Sequence, residues 1–441
     1  MSTTAVLSPA HPTIDRRAAL PVAVIGAGPV GLAAAAELLE RGQEVVVLES
    51  GETAGTAMSA WGHIRLFSPW TYLLDAAAVR LLEKAGWHSP EPGRLPLARE
   101  VVADYLEPLA AALSPRIQYR TRVLAVSRQG MDRTRSLGRA EAPFLLRTRT
   151  PGGTAEVLAR AVIDASGTYS SPGPIHASGL EDDVRPENVS HALPDVLGAE
   201  RDRFAGKHTL VVGAGHSAAN TLLALARLAD EVPGTTISWA IRSASPVRVY
   251  GSDTDALRAR AALGSGVHDL VQRGTVALLD RFEIDRTTAL ADGRVRVSGR
   301  RAGLPAAIDA HVVVAATGFR PDLDMLREIR LGLDAVVEAP RALAPLIDPN
   351  LHSCGTVPPH GVAELSHPEP DFYLAGMKSY GRAPTFLLLT GYEQVRSIAA
   401  ELSGDSAAAR QVQLVLPETG VCSSGATLSL TPSGPASCCG G

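Results

Sequence analysis

Cysteine is scarce. Only Cys354, Cys422, Cys438 and Cys439 occur in 441 residues, and they form neither C-x-x-C nor C-x-x-x-x-C. So few thiols exclude a disulfide framework and point to a reducing compartment, the cytoplasm, over secretion. Charge of one sign is missing too: 42 Lys and Arg stand against 46 Asp and Glu, a net charge of -4. Nucleic-acid binding needs a concentrated basic surface, so no nucleic-acid partner is expected. One apolar run, LPVAVIGAGPVGLAAAAELL (Leu20 to Leu39), has the length of a membrane span, with Glu37 its only charge. Its glycines and Pro29 fall where a strand would turn into a helix, so no membrane partner is expected. Arg16 and Arg17 are not followed by the uninterrupted apolar run and cleavage site of a twin-arginine export signal. No catalytic triad or metal-ligand spacing stands out.

The length is more than one hydrophobic core usually supports, so two or three domains are expected. The first begins with VAVIGAGPVGLAAAAELLERGQEVVVLES. Val22 to Ile25 read as a buried parallel strand, followed by G-x-G-x-x-G at Gly26, Gly28 and Gly31. The first glycine permits the tight turn, the second lets backbone approach a pyrophosphate, and the third lets helix pack on strand. The N-terminus of the alanine-rich helix favours that anion. A second strand, EVVVLE, ends in Glu49, whose carboxylate can accept hydrogen bonds from both hydroxyls of an adenosine ribose. KHTLVVGAGHSAANTLLALARL repeats the device with Gly213, Gly215, Ser217 and, in the third glycine's place, Ala218. Its following strand, TTISWAIRS, ends in Arg242, where a guanidinium can pair with a 2′-phosphate that a carboxylate would repel. The first cradle therefore suits FAD and the second NADPH.

RAVIDASGTYSSP and HVVVAATGFRPDL each read as a buried strand ending in a small-residue turn, at Ser166-Gly167 and Thr317-Gly318, where backbone can cross close to a nucleotide. PDFYLAGMKSYG adds a strand with a glycine turn, and a helix is expected from Thr385 to Leu402. The fold class is α/β: two Rossmann-like dinucleotide-binding domains, the NADPH domain inserted into the FAD domain. The expected boundaries are 20–175 and 321–403 for the FAD domain, 176–320 for the insertion, and 404–441 for a tail rich in small and turn-forming residues.

These residues together resemble the two-dinucleotide-binding-domain flavoproteins, most closely the class B flavin-dependent monooxygenases, over about Pro21 to Gly404. By that resemblance, ATGFRPD (Ala316 to Asp322) corresponds to the family's second crossover motif. WGHIRLFSP brings Trp61 and Arg65 near the flavin, and YRTRVLAV reaches the adenine around Val123. There are departures. The fingerprint F-x-G-x-x-x-H keeps only His191, with Arg185 and Glu187 in the aromatic and glycine places, which weakens a Baeyer–Villiger assignment. After Gly376, Met377 stands where many relatives carry an aspartate, leaving backbone N–H groups or Lys378 to serve the flavin; a solvated lysine is the plainer alternative.

Disulfide reductases of this fold set a redox dithiol against the isoalloxazine; this sequence has none there. Reduced flavin then meets dioxygen, forming a C4a-(hydro)peroxide, so a small-molecule substrate and dioxygen are the expected partners. A homodimer is the usual assembly. Cys422, Cys438 and Cys439 lie on the tail. Adjacent cysteines close a strained ring when oxidised, so the pair suits two free thiols able to hold a soft, thiophilic centre. GMKSYGRAPTFLLLTGYEQVRS, LPETGVCSS and the terminal pair are similar to flavin monooxygenases associated with arsenic resistance, which implies oxidation of a trivalent arsenical. Two other readings stay open: a reductase that shuttles electrons or metal through Cys438 and Cys439, and a flavoprotein that only sequesters metalloid.

Overall fold

A computed structural model describes residue 17 and residues 19–181, 186–250, 258–348, 357–383 and 386–414. The chain lays down β1 (Val22–Ile25), β2 (Val45–Leu48), β3 (Ile117–Gln118), β4 (Arg122–Arg128), β5 (Phe144–Thr150), β6 (Gly153–Ala159) and β7 (Ala161–Asp164). Next come β8 (Val189–His191), β9 (His208–Val212), β10 (Thr236–Ala240), β11 (Val276–Leu279), β12 (Phe282–Ala289), β13 (Val295–Arg301), β14 (Leu304–Ala310) and β15 (Val312–Ala315). β16 (Phe372–Leu374) follows long after.

The short apolar runs VAVI, AVID and VVVA are buried along their whole length, as expected of strands covered on both faces. They form the centres of two parallel sheets, ordered β16-β7-β1-β2-β3 and β11-β10-β9-β15-β8. Every pairing within them is parallel. The chain thus leaves the first sheet after β7, builds the second, and returns with β16: the second domain is inserted into the first.

Each parallel sheet is covered on one side by helices. The Pro29–Glu40 and Leu388–Leu402 helices share a core of Leu32, Ala35, Val395 and Ile398 on the first, and the His216–Glu231 helix packs Leu222 and Leu225 on the second. The other side carries a three-stranded antiparallel sheet, β4-β5-β6 or β12-β13-β14. In β5 and β12, burial tends to alternate along the strand, the pattern of a sheet with one face on the core.

The two domains are topological repeats. β1, β2, β3, the antiparallel unit and β7 match β9, β10, β11, the second antiparallel unit and β15. The fifth strand is permuted: β8 precedes its domain's other strands, whereas β16 follows after the insertion. The helix expected from Thr385 to Leu402 spans Leu388–Leu402; Thr385 itself lies outside the described residues.

Candidate functional site: two nucleotide cradles and the crevice between them

In an open parallel sheet, ligands bind beyond the carboxyl ends of the strands where the strand order reverses. In the first sheet that point lies between β1 and β7. Gly26, after β1, has φ +99°, a conformation available to glycine at little cost. A Cβ there would stand 2.9 Å from the Ala165 carbonyl oxygen, so the turns after β1 and β7 are in direct contact. A Cβ on Gly31 would overlap the Gly26 carbonyl, which is why helix and strand need glycine at that crossing. Above Gly28 a Cβ meets nothing within 4 Å. Gly28 is also the N-cap of the Pro29–Glu40 helix, with no side chain capping it. Uncapped N–H groups beside open space fit an anionic pyrophosphate.

Glu49, at the end of β2, is 7% exposed. Its Oε2 accepts from the Ala27 N–H and its Oε1 from the Gly51 N–H, both at 2.6 Å. The carboxylate is thereby aimed beside the glycine turn, and each oxygen keeps a lone pair for a ribose hydroxyl. The N–H groups of Arg120 and Thr121 donate to the Gly51 and Glu49 carbonyls at 2.8 Å, which brings the strand containing Val123 alongside. Val123 is itself buried among Ala23, Ile25 and Leu48, between the two sheets of this domain.

The second cradle repeats the geometry. Gly213 has φ +124°, and a Cβ there would overlap the Ala316 carbonyl. Gly215 faces open space and caps the 16-residue His216–Glu231 helix without a side-chain bond. Ser217 is half-buried and Ala218 fully buried against the sheet. Arg242 is exposed, two residues beyond the end of β10.

The crossovers between the domains are bonded to each other. The Gly173 N–H donates to the Gly318 carbonyl at 2.7 Å, Thr317 Oγ1 donates to the Gly173 carbonyl at 2.6 Å, and the Arg320 N–H donates to Ser171 at 2.8 Å. Tyr169 and Phe319 add a ring contact, with centroids 5.3 Å apart. Trp61 is half-buried against the helical core of the first domain. Arg65 is exposed and donates to the Leu95 carbonyl at 2.6 Å. Two residues on, Phe67 meets His216 with ring centroids 5.4 Å apart, so the Trp61–Pro69 segment reaches the second cradle.

After β16 the chain turns at Gly376 (φ +68°). Gln394, fully buried, accepts from the Gly376 N–H at 2.8 Å and donates to Ser379 Oγ at 2.9 Å and His360 Nε2 at 2.8 Å. His360 Nδ1 contacts the Pro358 carbonyl at 3.0 Å, which assigns its proton to Nδ1. Burial holds this imidazole below its usual range and favours that neutral form. Met377 is half-buried. Lys378 is not solvated: it is fully buried, with Nζ 2.7 Å from Asp164 Oδ2 and 3.1 Å from Ser166 Oγ. Asp164, Gln394 and His360 were not singled out in the sequence, although VIDASG did place an acid at a strand end.

Cys354, Cys422, Cys438 and Cys439 lie outside the described residues, as does Arg185. Among the described residues no cluster of His, Cys, Asp and Glu could hold a metal, and no helix is long and apolar enough to cross a membrane.

Two Rossmann-like domains, one inserted in the other and each with its own glycine cradle, define a two-dinucleotide-binding-domain flavoprotein whose fold is that of the class B flavin monooxygenases. The chain belongs to the pyridine nucleotide-disulphide oxidoreductase family, whose model matches residues 23–353. The family takes its name from an oxidoreductase activity, and two proteins of this fold were solved with FAD and with reduced FAD and NADP⁺. The chain is 26% identical over 249 residues to the flavin-containing monooxygenase FMO GS-OX-like 2 of Arabidopsis thaliana, an alignment covering 50% of this chain and 49% of that protein. It spans about half to three-fifths of the length of the curated relatives it matches. The bacillithiol disulfide reductase Bdr of Bacillus cereus superposes with a TM-score of 0.65 at 18% identity, over 87% of this chain and 99% of that one. The cadaverine monooxygenase DfoA of Erwinia amylovora does so with a TM-score of 0.61 at 16% identity, over 91% and 98%.

Proposed function

We propose that the protein is an FAD- and NADPH-dependent monooxygenase of the cytoplasm acting on a soft nucleophile, with a trivalent arsenical as the substrate class. One observation carries this reading. The stretches that build both cradles and the crevice (22–49, 161–173, 208–242, 312–320 and 372–402) contain no cysteine. A disulfide reductase that works through a dithiol at the ring would need cysteines there; with none, dioxygen is the acceptor that reduced flavin most simply meets. The curated relatives, by name a flavin-containing monooxygenase and an indole-3-pyruvate monooxygenase, support the same direction.

Bound FAD supplies the two-electron chemistry that links nicotinamide to dioxygen. The chain's own residues bind and orient. Glu49 takes the adenosine ribose and the Gly26–Gly31 turn the pyrophosphate, with Val123 on the adenine side. Gly376, Met377 and the turn carrying Lys378, beyond β7 and β16, would wall the flavin half of the same crevice. Gly213, Gly215, Ser217 and Ala218 cradle the NADPH pyrophosphate, and Arg242 pairs with its 2′-phosphate. Thr317 and Gly318 close the crossover side, and the Trp61–Arg65 segment covers the crevice and keeps water out. The balance is one substrate, one dioxygen, one NADPH and one proton giving oxygenated substrate, NADP⁺ and water. An arsenic(III) lone pair is a suitable oxygen acceptor. Cys422, Cys438 and Cys439 would collect the metalloid as soft ligands.

The adjacent Cys438 and Cys439, with the disulphide-oxidoreductase name of the family, favour a second reading as a reductase working through the tail. The test is NADPH oxidation under air and under nitrogen with trivalent arsenicals, thiols, amines and ketones, and with a disulfide and a mercuric salt as alternative acceptors. A monooxygenase consumes NADPH and oxygen in step with one substrate class. Turnover that persists under nitrogen with a disulfide or metal acceptor supports the reductase instead.

A further inference from the structure

A lysine and an aspartate are buried together at the carboxyl ends of adjacent strands. Asp164 closes β7, and Lys378 lies in the turn after β16; both side chains are 0% exposed, with Nζ and Oδ2 2.7 Å apart. Ser166 ties the pair together. Its Oγ donates to Asp164 Oδ1 at 2.7 Å and accepts from Lys378 Nζ at 3.1 Å, while its N–H donates to Asp164 Oδ1 at 3.1 Å. Two charges taken fully out of water are costly, and apolar residues of similar volume often stabilise a fold as well. Stability alone is therefore a weak reason for a charged pair here.

Its position suggests a stronger one. The pair joins the turn after β7 to the turn after β16, on the flavin side of the switch point. Both turns also touch the first cradle. The Ala165 carbonyl packs on Gly26, and a Cβ on Gly376 would stand 3.2 Å from the Val30 side chain of the helix that follows the cradle. The ammonium is committed to Asp164 and Ser166 beneath the surface, so it is not available as a counter-charge in the crevice.

We propose that Asp164, Ser166 and Lys378 form a positioning clamp for the flavin: they fix the two turns that wall its half of the crevice, and act on the ring only through those turns. The inference rests on FAD occupying the first cradle. Three variants separate the clamp from a structural pair: Lys378→Met/Asp164→Asn, which removes the pair without stranding a charge; Lys378→Gln/Asp164→Asn, which keeps a neutral hydrogen bond; and Ser166→Ala.

The readouts are FAD dissociation constant, visible circular dichroism of the bound flavin, and apoprotein melting temperature. The Met/Asn variant is expected to melt near wild type yet bind FAD about tenfold or more weakly, with a reduced dichroic signal. The Gln/Asn variant recovers most of that affinity, and Ser166→Ala, which keeps the ion pair, loses about threefold. Wild-type affinity and dichroism in the Met/Asn variant overturn the clamp. So does a loss of affinity matched by a fall in apoprotein melting temperature across all three variants, because it makes the pair merely structural. A wild-type chain that takes up no FAD overturns the cofactor reading along with the clamp.

Discussion

At the scale of single residues, environment decides which charges matter. Glu37, on the Pro29–Glu40 helix, is 4% exposed. Burial, reinforced by the neighbouring charges of Asp75 and Glu40, pushes its carboxyl up to about 7. A raised acid binds its proton more tightly folded than unfolded, so stability is lost as pH rises from the unfolded value through the folded one. Glu37→Gln is therefore expected to match wild type near pH 4 and to exceed it by about 2–3 kcal/mol at pH 8, read by urea unfolding at the two pH values. Equal stabilities at pH 8 would contradict this. Arg242 is the opposite case, an exposed guanidinium at a strand end. Arg242→Ala is expected to raise the KM for NADPH about tenfold and to leave that for NADH nearly unchanged, because only NADPH carries the 2′-phosphate. Steady-state kinetics with both nucleotides decide it, and unchanged discrimination removes Arg242 from the site.

At the scale of elements, turns are held by buried polar side chains that sequence spacing does not display. The Gly376 turn hangs on Gln394, whose amide serves Gly376, Ser379 and His360 at once. Gln394→Leu strands the Gly376 N–H and is expected to cost about 2 kcal/mol or more, with a parallel loss of FAD from the purified protein. Urea unfolding and flavin absorbance report the two; an unchanged midpoint would mean the turn stands without Gln394. The glycine turns and the strands that lead into them were legible in the sequence because glycine spacing and apolar strand runs are local signals. The antiparallel sheets were not read, since buried positions of β5 and β12 carry polar Thr148 and Thr287 and the β12 register shifts between Ile284 and Arg286. Lys378 looked solvated or flavin-facing because its partner, Asp164, is 214 positions away. Pairings across such a separation follow from sheet order, which the sequence gives only indirectly.

For the whole molecule, the controlling feature is one domain inserted into another of the same plan, with Phe67 and His216 touching across the gap. The expectation of an inserted α/β domain matched the structure, but the duplication stayed hidden: β8 and β16 occupy equivalent sheet positions at opposite ends of their domains' chain order. If the tail thiols gather substrate for this crevice, Cys438→Ser/Cys439→Ser should lower turnover of a trivalent arsenical severalfold at limiting substrate, with FAD content intact, because soft thiolates supply the affinity. Wild-type rates at low arsenical would make those cysteines bystanders. The central claim concerns the destination of the electrons. Its most direct test is to drive the reaction with NADPH under isotopically labelled dioxygen and weigh the oxidised arsenical. One labelled oxygen atom in each product molecule, with one dioxygen consumed per NADPH, is the result this account predicts. Product oxygen drawn from water, or NADPH oxidation that continues unabated without dioxygen, would contradict it.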